Sequence, residues 1–279
     1  MTKRYAKKPV LNWLFLLPFI ITISGCDSQK TTQSDNDGIR LITLSPHLAE
    51  LVVSAGAIKN LVGVVSYSDF PPEIKNTQKI GDAFKLDIET IVSLKPDYIL
   101  SWKGGTPLSM LEKLKRLNLT IIETEIKTLS DIPKTITQIA KLTNTQKQAQ
   151  KATNKFTQKL LEFQKQKHKQ QTAFIETYHQ PLYTVSGKHW MSQAALLCGY
   201  INVFNDLKQQ SATVTLESVI LKNPQTIINI AKQEDSQWQK WQNLDAIKNN
   251  NIILIDPDYF SRPSMRLLQG IEKLCTKNN

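Results

Sequence analysis

The chain has 279 residues, room for one large domain or two lobes of ordinary size. Hydrophobic residues make up 41% and charged ones 21%, with only ten Gly and twelve Pro, which excludes a disordered, collagen-like or linker-like chain. The formal charge is +11, but Lys3, Arg4, Lys7 and Lys8 stand in an opening stretch without acids, so residues 26–279 carry +7.

The opening stretch reads as an address. Met1–Lys8 is a positive n-region and Val10–Ile23 an apolar h-region, shorter than the ~18 residues of a membrane span. Ile23-Ser24-Gly25-Cys26 looks like a lipobox, the site where a bacterial lipoprotein is acylated on cysteine and cleaved just before it. The alternatives are an ordinary signal peptide or an uncleaved anchor, and Asn12 and Pro18 weaken the second. Asp27 beside the lipidation site resembles an inner-membrane retention signal. We therefore expect a signal peptide over 1–25, lipidation at Cys26 and a polar tether over 26–38. The folded part would face the extracytoplasmic side, held by more than one acyl chain. Cys198 and Cys275 then remain; in an oxidising compartment they point to one disulfide, with two buried free thiols as the alternative.

Arg40–Leu44 reads as a short apolar strand. Ser45-Pro46 follows as helix cap and first turn, and Gly56 stops the helix. Leu61–Val65 is the next strand and runs into the loop Ser66–Pro72. Asp87 caps a helix to Leu94, Lys95-Pro96-Asp97 turns the chain into the strand Tyr98–Trp102, and Gly104–Pro107 opens a helix to Arg116. Leu119–Glu123 is a further strand. Strands alternating with helices predict parallel α/β layers. From Leu129 to His168 glycine is absent, and the pattern predicts one long helix with a break near Thr143-Asn144. Its Lys/Gln-rich face reads as solvated surface, and export with scattered charge argues against nucleic acid. The α/β pattern then resumes: strand Ala173–Tyr178, helix Trp190–Cys198, strand Ile227–Ile230, helix Trp238–Ile247, strand Ile252–Ile255 and helix Ser264–Cys275.

Thr215–Ile228 repeats Asp87–Leu100 at an offset of 128, pairing Glu89 with Glu217 and Pro96 with Pro224. Two α/β lobes with mainly parallel sheets, joined by one long inter-lobe helix, is the economical fold: 39–127, 128–170 and 171–279. No nucleophile elbow or phosphate loop is present. The four histidines lack metal-ligand spacing, and a site converging from His47, His179 and His189 is the weaker alternative to no metal. Aromatics instead collect after strands, where parallel sheets bind ligands: Tyr67, Trp102, Tyr183 and Tyr259-Phe260, with Phe84 in a similar loop. Such walls suit a large, flat, partly apolar ligand. Glu89 and Glu217 favour their helix dipoles, and one acid per lobe would also suit a two-fold partner bearing arginines.

These residues resemble the substrate-binding proteins of ABC importers for cobalamin, siderophores and haem, over about Arg40–Cys275. The resemblance is carried by RLITLSPHLAEL (40–51), GVVSYSDFPP (63–72), LDIETIVSLKPDYILSWKGG (86–105) and DYFSRPSMR (258–266), and is closest to the cobalamin branch. It implies a helical-backbone binding protein with little hinge motion. Function is then capture of cobalamin or a related corrinoid, with haem or an iron–siderophore complex as the alternative. The resemblance implies no enzyme activity, no cofactor and a monomer delivering ligand to a two-fold permease with its ATPase. Tyr67 would stack on the corrin and Trp102 pack beside it. Asp258, Tyr259, Phe260, Ser261 and Arg262 would close from the second lobe, with Tyr183 and Phe84 adding aromatic surface. Glu89 and Glu217 would dock on the permease, and Cys198 and Cys275 would pair. The chain departs from the branch in having Phe84, offset by one residue, and Tyr259 where tryptophans are usual. An enzyme with Cys or His ligands in the cleft is the competing class.

Overall fold

The computed structural model describes Thr2 and residues 38–82, 85–231 and 235–278. The leader, Cys26, Asp27, most of the tether and Phe84 lie outside the described residues. Residues 37–279 form one compact unit.

The first lobe is built on a five-stranded sheet. Its elements in chain order are β1 (Leu41–Thr43), α1 (Pro46–Ser54), β2 (Leu61–Val64), β3 (Gln78–Lys79), α2 (Ile88–Ser93), β4 (Tyr98–Trp102), α3 (Leu108–Arg116) and β5 (Ile121–Thr124). The sheet order is β3-β2-β1-β4-β5, with every pairing parallel. β1, at the centre, is buried on both faces, which is why it reads as an apolar run without alternation. Pro46, at the first helical position, contributes the φ that helix entry needs.

The expected single helix over 129–168 is two helices, α4 (Asp131–Thr143) and α5 (Gln146–Lys165). Asn144 takes a left-handed φ of 56° and ends α4, at the break the sequence marks. α5 alone is the long inter-lobe helix. Its 20 residues reach about 30 Å. Ala149, Phe156 and Phe163, seven residues apart, form its buried stripe, and it packs against α1 of the first lobe and against the closing helix of the second.

The second lobe holds β6 (Gln171–Glu176), β7 (Tyr183–Val185), α6 (Trp190–Leu197), β8 (Tyr200–Asn202), β9 (Ser211–Thr213), α7 (Leu216–Lys222), β10 (Thr226–Asn229), α8 (Asp245–Lys248), β11 (Ile252–Leu254), α9 (Pro257–Phe260) and α10 (Leu267–Cys275). Its main sheet, β11-β10-β6-β8, is parallel throughout, while β7 and β9 form a small antiparallel pair. The helix expected over Trp238–Ile247 is replaced by a 3-10 segment, Asp235–Lys240, followed by the short α8. Trp238 is fully buried, donates Nε1–H to Glu176 at 2.9 Å and meets Phe174 edge-on, so the chain is pinned inward where a helix would carry it past.

Cys198 and Cys275 are disulfide-bonded and buried, tying α10 to the end of α6. The internal repeat is real in the backbone. Asp87 caps α2 by accepting from Thr90 N–H at 3.0 Å, and Thr215 caps α7 by accepting from Ser218 N–H at 3.2 Å. Lys95 and Asn223, the residues before the matched prolines, share a left-handed φ of 44° and 41°.

Candidate functional site

The carboxyl ends of β2 and β4 present the first lobe's aromatics. Tyr67 follows β2 with a left-handed φ of 64° and 77% of its surface exposed. A bulky residue held there costs energy, a kind of strain that collects at ligand clamps. Trp102 ends β4 and is 38% exposed. Its ring lies against Gly105: a Cβ there would fall 1.9 Å from the indole. The second glycine of Trp-Lys-Gly-Gly is therefore needed for the ring to lie as it does.

His47, in the first turn of α1, meets Trp102 edge-on with centroids 5.2 Å apart. Burial, and next the Arg262 charge, push its pKa down to about 3. His189 caps α6 by accepting from Met191 N–H through Nδ1, and burial lowers it to about 4. His179 pairs with Glu176 at 3.0 Å. The described histidines thus have separate local partners.

Protonation of His47 and His189 is disfavoured in the folded state but free in the unfolded chain. Their contribution is intact above pH 6.5 and is lost as pH falls, until about pH 4 for His189 and about pH 3 for His47. Asp87, whose carboxyl the Thr90 N–H holds below the usual carboxylate range, acts only below about pH 4. Each histidine adds a slope of about 1.4 kcal/mol per pH unit. At pH 5, His47→Phe should therefore recover about 2 kcal/mol of the stability lost from pH 7. Urea titrations at both pH values check it; an unchanged pH dependence would refute the assignment.

From the second lobe, Tyr183 opens β7 half-buried, its N–H donating to Tyr178 at 2.9 Å. Tyr178, more than half exposed, is an aromatic that the sequence reading passes over. Asp258 and Tyr259 lie on α9, capped by Asp256, and Ser261 follows exposed, its hydroxyl donating to Pro257. Tyr259 is half-buried with Lys273 Nζ 3.9 Å from its ring centroid. Phe260 corrects the expectation: it is fully buried in the core, so its ring anchors the loop and offers no surface to a ligand.

The loop after α9 also makes a contact the sequence reading misses. Glu50, on the buried side of α1, is bonded by three residues of the second lobe. Arg266 reaches it through Nε at 3.0 Å and through NH2, Ser264 through its hydroxyl, and Arg262 through NH1 at 3.2 Å. Arg262 also meets Asp69 at 3.2 Å and Asp258 at 3.1 Å, so three carboxylates surround one guanidinium. Arg266 lies over the Phe70 ring at 4.3 Å. The one available signal was a lone acid among Leu48, Ala49, Leu51 and Val52, all buried.

Glu89 and Glu217 occupy the first turns of α2 and α7, both exposed.

A family model for periplasmic binding proteins matches residues 41–259. The chain belongs to the periplasmic binding protein family. This periplasmic binding protein is 33% identical over 242 residues to the vitamin B12-binding protein of Vibrio cholerae serotype O1, covering 85% of this chain and 88% of the relative. It is 34% identical over 247 residues to that of Pectobacterium atrosepticum, with 85% and 88% covered. The structure of the periplasmic vitamin B12 binding protein of Vibrio cholerae superposes with a TM-score of 0.78 at 32% identity, over 86% of this chain and 96% of that one. A haem complex from S. aureus superposes at 0.75 with 19% identity over 86% and 98%, which shows a shared two-lobed α/β fold.

Proposed function

We propose that this periplasmic binding protein captures cobalamin or a related corrinoid between its lobes and delivers it to a two-fold ABC permease driven by its ATPase. It acts as a monomer without covalent chemistry of its own, exported by residues 1–25 and held at the membrane by lipid on Cys26. The observation that carries the reading is Trp102, exposed at the end of β4 on a glycine cut to fit its ring, with Tyr67 after β2, on the other side of β1. Flat aromatic faces suit the corrin macrocycle, and relatives a third identical to this chain are vitamin B12-binding proteins. Tyr183, Tyr259 and the rest of the 258–262 segment supply the facing wall. Arg262 is held by three carboxylates, which leaves it poorly placed to draw in an anionic iron–siderophore complex.

The test uses residues 29–279 mixed with cyanocobalamin, desalted, and scanned for corrin absorbance. Stoichiometric co-elution with quenched tryptophan emission is expected. Gly105→Ala, which displaces the indole, should weaken binding about tenfold, equivalent to about 1.4 kcal/mol. No retained corrin with the native chain would sink the cobalamin reading and leave the fold standing.

A further inference from the structure

Taken segment by segment, the positive charge of this chain is segregated, not scattered as the sequence reading expects. Residues 131–170 carry nine lysines against two acids, Asp131 and Glu162, a net +7 that equals the charge of all residues 26–279. The remainder of 26–279 is therefore balanced. Lys147, Lys151, Lys155 and Lys159 recur every four residues along α5 and are all exposed; the row starts on the outer face and winds until Lys159 stands one turn before the buried Phe163. Lys134 and Lys141, one heptad apart, are exposed on α4, and Lys165, Lys167 and Lys169 continue the charge past the end of α5. The two acids engage Lys134 and Lys159 within the segment itself. Leu161, one turn before Lys165 on α5, is 50% exposed. Both helices pack inward on α1, so Lys134, Lys141, Lys147 and Lys151 stand on the outer side, while Lys155 and Lys159 rim a cleft shared with Phe70 and with Glu272 of α10.

A solvated face needs no such imbalance. We propose that the α4–α5 face is a docking surface for an anionic phospholipid bilayer, against which the inter-lobe helix rests between transport cycles. The purpose rests on the proposed lipid tether; the surface itself does not. Lysine stems can lie along the interface while their ammonium groups meet lipid phosphates, and Leu161 adds an apolar contact at the same level. Each lysine close to an anionic surface multiplies partitioning about fivefold, within a Debye length of about 8 Å at physiological salt.

Residues 29–279 contain the whole compact unit and lack the lipid, so binding to vesicles reports the face alone. Sedimentation with vesicles of phosphatidylglycerol and phosphatidylcholine at 0.1 M NaCl should retain the protein. Phosphatidylcholine vesicles should not, and 0.5 M NaCl should release it. Lys147→Glu, Lys151→Glu and Lys155→Glu together should lower partitioning at least 30-fold, with the melting temperature and cyanocobalamin affinity unchanged. Undiminished binding by this variant, equal binding to phosphatidylcholine alone, or retention on heparin without retention on vesicles would each overturn the proposal. Loss of corrin binding by the native chain would bear on the ligand reading only.

Discussion

Glu50→Ala should lower the unfolding free energy by about 3–5 kcal/mol, because it strands the buried Arg266 guanidinium. Arg262 keeps Asp69 and Asp258, so its charge stays compensated in that variant. Arg266 loses every side-chain hydrogen bond described for it and keeps the Phe70 and Tyr259 ring faces, at 4.3 and 5.8 Å, with the more distant charges of Asp258 and Asp69. The double variant Glu50→Met with Arg266→Met removes the charge pair while keeping volume. Buried pairs replaced in this way are often neutral in stability, so it should fold close to native. The clasp joins α1 to the loop after α9, which carries Arg262 and follows directly on Asp258 and Tyr259 of that helix. Without it the loop keeps Phe260 beneath and, across to the first lobe, only the Arg262–Asp69 ion pair and the Arg266–Phe70 contact, so bound cyanocobalamin should leave at least tenfold faster. Urea denaturation and a ligand-displacement time course separate the two effects. A Glu50→Ala protein within 1 kcal/mol of native, or a double variant with native dissociation, would show the clasp to be incidental.

Local signals carried most of the fold into the sequence. Pro46 and Asn144 act through their own backbone and Asp87 and Thr215 through side chains that bond three residues on, and each stands where an element begins or ends. The repeat was legible for the same reason, and the structure adds to it a left-handed residue before each proline. Elements decided by distant partners were not legible. The 3-10 segment at Trp238 depends on Glu176, 62 residues away, and no pattern within 235–248 reports that bond. β3 and the β7–β9 pair are two or three residues long, too short to show alternation. At the site, exposed aromatics after strands could be read from position alone. Phe260 looked equivalent to Tyr259 in sequence, yet α9 turns it into the core. The Glu50 clasp spans more than 200 residues, which leaves it outside any local pattern.

We propose that Glu89 and Glu217 dock on the permease, so Glu89→Lys with Glu217→Lys should abolish transport while cyanocobalamin affinity stays within twofold. The argument starts from equivalence: both carboxylates are exposed, both stand one turn into a helix, and both helices are capped by the residue two places earlier. A pseudo-symmetric pair of acids offers a two-fold permease one carboxylate per half, each suited to an arginine fork. Neither residue neighbours Trp102 or Tyr67 in its element, so ligand capture has no reason to change. Placing a lysine at a helix N-terminus costs about 0.3–1 kcal/mol, too little to unfold either lobe. A single reversal removes one of two matched contacts and should leave an intermediate uptake rate. Uptake of labelled cobalamin into cells carrying each variant, set beside equilibrium binding by the purified protein, distinguishes docking from capture. Lost affinity in the double variant would move these glutamates into the cleft, and native uptake would remove them from the permease interface altogether.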